Sequence, residues 1–156
     1  MAISVEGIHL AKRKVFNYLS SSTRGNPFVH EQMRAVFSYL AQHGVNPDLQ
    51  FVPYADLSAD TVIADAACKI YAIFGKKRNT ATDAFFKGND SATVTSGTDD
   101  DINLSFLIAN QVQVWIDPAG WAMANGFTIA SDTAANGTTS TTAGDGPDGF
   151  VLLGNP

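Results

Sequence analysis

The chain has 156 residues, 45% of them hydrophobic, with a formal net charge of −5 and an isoelectric point near 4.9. That length and apolar content suffice for one compact domain with its own core, and the acidic balance argues against nucleic acid as a partner, because phosphate-backbone binding needs Lys and Arg gathered on one face. No apolar run approaches the roughly 20 residues of a membrane span, so no membrane is expected.

The first twenty residues interrupt their apolar positions with Glu6, His9, Lys12, Arg13 and Lys14, a pattern unlike a signal-peptide core. The expectation is a soluble protein made in a cytoplasm. Charge is unevenly divided. Residues 1–48 carry five basic against three acidic side chains, a net of +2, whereas residues 49–156 carry five against twelve, a net of −7. Both glutamates, Glu6 and Glu31, fall in the first part. Glu favours helix, while Asp, Thr, Gly and Asn favour turns and strands, so a helical region over 1–48 and a β domain over 49–156 are expected.

In the first region Ile8, Ala11, Val15, Tyr18 and Leu19 recur every three or four residues, opposite the basic triplet Lys12–Lys14. A helix over about 4–20 follows. Asn26 can cap a second helix with Pro27 at its first position; Met33, Val36, Phe37 and Leu40 form its stripe and Gly44 is a plausible stop, giving about 27–43.

The second region is a series of short β-prone runs: 49–52, 61–66, 68–74, 84–87, 102–108, 112–116, 121–124, 127–131 and 150–154. Turn-rich separators such as SGTDDD, DPAG and DGPDG divide them. This spacing predicts a mainly β fold with an N-terminal helical pair, an antiparallel β-sandwich or jelly roll. INLSFLI (102–108) also admits a helical turn capped by Asp99–Asp101. Phe150–Leu153 and Ile70–Phe74 are apolar on both sides, which a solvated outer sheet face would not be; either the helices or another copy of the protein must cover them. The tract 132–149 has no Lys or Arg and no apolar periodicity, and reads as a surface loop that turns into the last strand through Asp145–Gly149.

Residues that carry chemistry are sparse. His9, His30 and His43 lack the spacing of a zinc-binding helix, and no phosphate loop, nucleophile elbow or paired-cysteine motif occurs. Asp99–Asp101 is the best cation candidate, without the spacing or distal Glu of an EF-hand, so a solvated turn is the simpler reading. Cys68, in an apolar run, reads as a small buried hydrophobe. Lys76, Lys77 and Arg78 read as a solvated hairpin end, with pairing to acidic groups on a neighbour as the alternative. No catalytic residues, metal or cofactor are expected.

CKIYAIFGKKRNTATDAFFKGND and NGFTIASDTAANGTTSTTAGDGPDGFVLLG, within residues 68–156, resemble small virion structural proteins of tailed bacteriophages in their Ala/Thr/Gly-rich strands, long Thr/Gly loops and scarce Cys and His. The resemblance implies a capsid decoration or cement protein located in the virion. Its partners would be the major capsid protein or other virion proteins, and it would form a symmetric homo-oligomer, for example a trimer. Expected contact residues are Ile8, Val15, Leu19, Phe28, Phe37 and Leu40 on the helices and Trp115 and Trp121 from the sheet. The alternatives are a head-fibre, tail or receptor-contact component acting through loop 132–149, and a carbohydrate-binding jelly-roll module acting through Trp115 or Trp121.

Overall fold

The computed structural model describes residues 8–22, 27–42, 48–93, 101–135 and 139–156. Helices α1 (Ile8–Ser22) and α2 (Pro27–Gln42) lead, and Pro27 stands at the first helical position, where its fixed φ and missing N–H cost nothing. Eight strands follow: β1 (Leu49–Tyr54), β2 (Thr61–Ala64), β3 (Cys68–Lys76), β4 (Ala84–Asn89), β5 (Ile102–Phe106), β6 (Val112–Met123), β7 (Phe127–Asp132) and β8 (Asp148–Gly154).

They form two four-stranded sheets, ordered β1-β8-β3-β6 and β2-β7-β4-β5, and every pairing is antiparallel. Each of the first four strands pairs with its counterpart in reverse order among the last four. The chain is therefore one long hairpin rolled so that its successive pairs alternate between sheets, which is a jelly roll. INLSFLI enters it as strand β5, with Ile102, Leu104 and Phe106 facing inward and Asn103 and Ser105 exposed, an alternation only a half-covered strand satisfies.

Two apolar cores result. Between the sheets lie Ile70, Ile73, Phe86, Phe106, Phe127, Val151 and Leu153 among others. On the outer face of the first sheet, Tyr71, Phe74, Phe150 and Leu152 meet Val15, Leu19, Met33 and Leu40 of the helices. β8 thus sends Val151 and Leu153 to one core and Phe150 and Leu152 to the other, which explains its apolar character on both sides. Of the two covers the sequence allows for this face, the helices are the one present.

β3 breaks strict alternation, because consecutive Tyr71 and Ala72 both face the helices. The register shifts between Ile70 and Ala72 against both neighbouring strands, so a bulge reverses the facing at that point. Opposite it, the turn-rich Asp117–Gly120 predicts a break between two strands. Instead both halves pair with β3, Val112–Ile116 with Ala72–Lys76 and Trp121–Met123 with Cys68–Ile70, as one strand. Pro118 is tolerated there because β6 is an edge strand and needs no outward ladder bond. Gly120 has φ +87, and a Cβ on it would lie 2.9 Å from the Tyr71 ring.

The 132–149 tract is partly structural. Asp132 forms an isolated bridge with Ser140, and Thr141 is buried, donating its hydroxyl to the Leu57 carbonyl at 3.0 Å. Asp56, itself at φ 47, accepts the Gly144 and Gly146 amides at 2.7 and 3.1 Å. Leu57 N–H donates to the Pro147 carbonyl. The returning half of the loop is therefore tied to Asp56 and Leu57, while Ala134, Ala135, Thr139 and Ser140 stay exposed.

Candidate functional site

The jelly roll has two open flanks, one bounded by β1 and β2 and the other by edge strands β5 and β6. Large apolar side chains concentrate on the second. At its tip, Leu107 and Ile108 are 53% and 69% exposed. Their backbone amides both donate to the Gln111 side-chain oxygen, at 2.8 and 3.1 Å, and Gln111 N–H closes the turn on the Ile108 carbonyl at 3.0 Å. Asn110 takes φ 59, a left-handed conformation Asn tolerates. These bonds close the tip on Gln111 and leave its two apolar side chains exposed.

Along β6, Trp115 and Trp121 meet edge to face with centroids 6.2 Å apart. Trp115 pairs with Ile73 and packs on the inter-sheet core, whereas Trp121, opposite Ile70, is 47% exposed. Gln113 ties the two edges together by donating to the Ser105 carbonyl at 3.1 Å. A fixed strand edge with projecting Trp and Leu/Ile side chains is suited to contact another protein surface.

The helix residues expected at contacts are placed differently. Val15, Leu19, Phe37 and Leu40 are buried within the chain, and Ile8 packs at the edge of the same cluster. Phe28 alone of that set projects, at 66% exposure. The helical stripe is legible in the sequence, but it belongs to the chain's own second core. Leu107 and Ile108 were missed because they read as the end of a strand.

A polar groove opens between the end of α1 and the start of β8, lined by Tyr18, Ser21, Lys76, Arg78, Asn110 and Asp148 among others. Arg78 is engaged there by Asp148 and Asp56 of its own chain, and Lys77 is buried. Of the basic triplet, Arg78 pairs within its own chain rather than with a neighbour.

Asp99 and Asp100 lie outside the described residues, as does His43. Asp101 accepts the Asp90 amide at 2.7 Å, and Asp90 in turn accepts the Ala124 and Asn125 amides at 2.9 and 2.7 Å; these carboxylates organise turns. Among the described residues no group of three or more His, Cys, Asp or Glu could hold a metal ion. His30 stacks on Phe16 at 5.9 Å. Cys68 is a free, buried thiol pushed up to about 11, chiefly by burial and secondarily by the charge of Asp90. No helix of the described residues is long and apolar enough to cross a membrane.

No protein-family model matches the chain, and no curated protein matches it. Among solved structures the chain is similar to the coat protein of Tobacco streak virus, at 12% identity, covering 69% of this chain and 87% of that one with a TM-score of 0.36.

Proposed function

We propose that the chain is a non-enzymatic virion structural protein that decorates or cements a bacteriophage capsid by self-association and by bridging shell subunits. The observation that carries this reading is the β5–β6 flank: an edge strand whose Trp121 projects, ending in a tip that holds Leu107 and Ile108 in water. A jelly roll whose helices are already used to cover its own sheet has this flank left for neighbours, and apolar burial there contributes about 25 cal/mol per Å² before association costs. Jelly rolls recur in capsid and lectin domains, which fits the class without selecting within it.

The test is binding of the purified chain to shells lacking it. The unaltered protein is expected to saturate the shell, and a Leu107→Asp/Ile108→Asp variant of native circular dichroism to bind at least tenfold more weakly. Equal binding by both would reject the flank as the contact. A second reading, a carbohydrate-binding module, rests on the exposure of Trp121; glycan binding abolished by Trp121→Ala would favour it. A head-fibre or receptor-contact role predicts instead that substitution of exposed Thr139 and Ser140 abolishes host adsorption while shell binding persists.

A further inference from the structure

The second sheet holds a lysine and an aspartate in its interior layer of cover, away from the β5–β6 flank. Ala84 and Phe86 of β4 face the inter-sheet core, so Lys87 faces outward; Phe127 and Ile129 of β7 face the core, so Asp132 shares the face of Lys87. Yet their side chains are 1% and 0% exposed. The 91–93 segment lies over part of this face, where the Thr128 hydroxyl donates to the Ser91 carbonyl at 2.9 Å.

Lys87 Nζ stands 2.8 Å from Asp132 Oδ2. The contact lies off the directions a hydrogen bond takes, and among the described residues neither Asp132 oxygen has a hydrogen-bond partner. Burying a carboxylate whose oxygens lack hydrogen bonds is costly. A third group stands by. Asp60 immediately precedes Thr61, which pairs with Ile129, so alternation brings Asp60 to the face shared by Ala130 and Asp132. One Asp60 oxygen is also buried without a hydrogen-bond partner among the described residues. Burial first, and the charge of Asp132 second, raise its carboxyl above the usual range.

We propose that Lys87 and Asp132 are a self-modification site that forms an intramolecular isopeptide bond between β4 and β7, with Asp60 as its proton shuttle. Proton transfer within the pair gives a free amine and a carboxylic acid. The amine lone pair forms a bond to Cγ of Asp132, and the carboxyl oxygen takes a proton from Asp60. A C–O bond then breaks, one water leaves, and Asp60 recovers its proton from the nitrogen, leaving an amide. Nothing is oxidised or reduced and no co-reactant is consumed. Packed strands hold Nζ 2.8 Å from Oδ2, beside the carbon it would attack, which gives the effective concentration such a reaction requires. The bond would staple the two inner strands of the second sheet, whatever surface the protein binds.

Intact mass of the full-length chain under denaturing conditions tests this, followed by digestion and fragment sequencing. The expected result is a chain lighter by one water molecule, with a branched peptide joining Lys87 to Asp132. Lys87→Arg should restore the full mass, and Asp60→Asn, folded by circular dichroism, should cross-link at least tenfold more slowly. An unaltered chain of full mass after prolonged incubation would overturn the proposal, as would a water loss that maps to a succinimide at Asp145-Gly146 or Asp148-Gly149. Cross-linking at full rate in Asp60→Asn would overturn the role given to Asp60.

Discussion

Arg78 and Asp148 lock the end of β3 to the start of β8: Arg78 Nε lies 3.1 Å from both carboxylate oxygens and Nη2 lies 2.8 Å from Oδ1. The same Oδ1 accepts the Asp56 amide at 2.8 Å, and Asp56 holds the Gly144 and Gly146 amides. One guanidinium therefore anchors the returning half of the last long loop.

Because both side chains of that pair are about one-third exposed, solvent screens the charge term, and the loss on substitution falls mainly on geometry. Asp148→Ala is expected to cost about 1–2 kcal/mol, since it strands the Asp56 amide as well as the guanidinium. Arg78→Lys should recover little of the loss from Arg78→Ala, because an ammonium cannot span two oxygens. Urea unfolding of the three variants checks both statements.

The helices depend on the sheet for burial, and the sheet depends on them for cover. Leu19 is fully buried in their shared core, beside the cluster where Tyr18 meets Phe150 edge to face at 5.4 Å and Phe150 stacks on Phe74 at 5.5 Å. Leu19→Ala should cost about 2–5 kcal/mol and Phe150→Ala about 3–5 kcal/mol. Calorimetry should show one transition for helices and sheet together. A Leu19→Ala protein of unchanged midpoint would contradict the shared core.

Gly149 leaves no room for a side chain. A Cβ there would fall 1.9 Å from the Phe74 carbonyl oxygen and 2.4 Å from the Tyr54 hydroxyl, both part of a buried hydrogen bond. Gly149→Ala should lose more than about 4 kcal/mol, read as failure to give soluble folded protein at 37 °C.

Alkaline pH should weaken the fold. Cys68 is raised from 9.0 to about 11, and Tyr54 and Tyr71 are raised too, each chiefly by burial. The native state thus holds these protons more tightly than the unfolded chain. Their stabilisation is complete below the unfolded values and lost as pH rises through the native ones. Urea midpoints should be flat in this respect up to about pH 9 and fall between about pH 9 and 11. Near pH 8, native Cys68 should resist alkylation and react on unfolding.

Much of this architecture could be read from residue order. Two helical stripes, the turn-rich separators and the two-sided apolar character of β3 and β8 all follow from periodicity, and they imply a sandwich with a covered outer face. Whether DPAG turns the chain was not legible, because Pro118 and Gly120 serve equally in a turn and in a bulged edge strand; the pairing with β3 decides it. The flank proposed for contact is half visible in the sequence. Trp121 stands out by type, but the exposure of Leu107 and Ile108 depends on Gln111 closing the tip beneath them. Lys87 and Asp132 carry no local mark, since only the registration of β4 against β7 brings them together.

Copy number in purified particles, by quantitative mass spectrometry against labelled peptides of this chain, tests the proposed function most directly. Decoration predicts a count that scales with the number of shell subunits. Complete absence from the particles would contradict the virion reading, and a count confined to a single vertex or the tail would contradict shell-wide decoration.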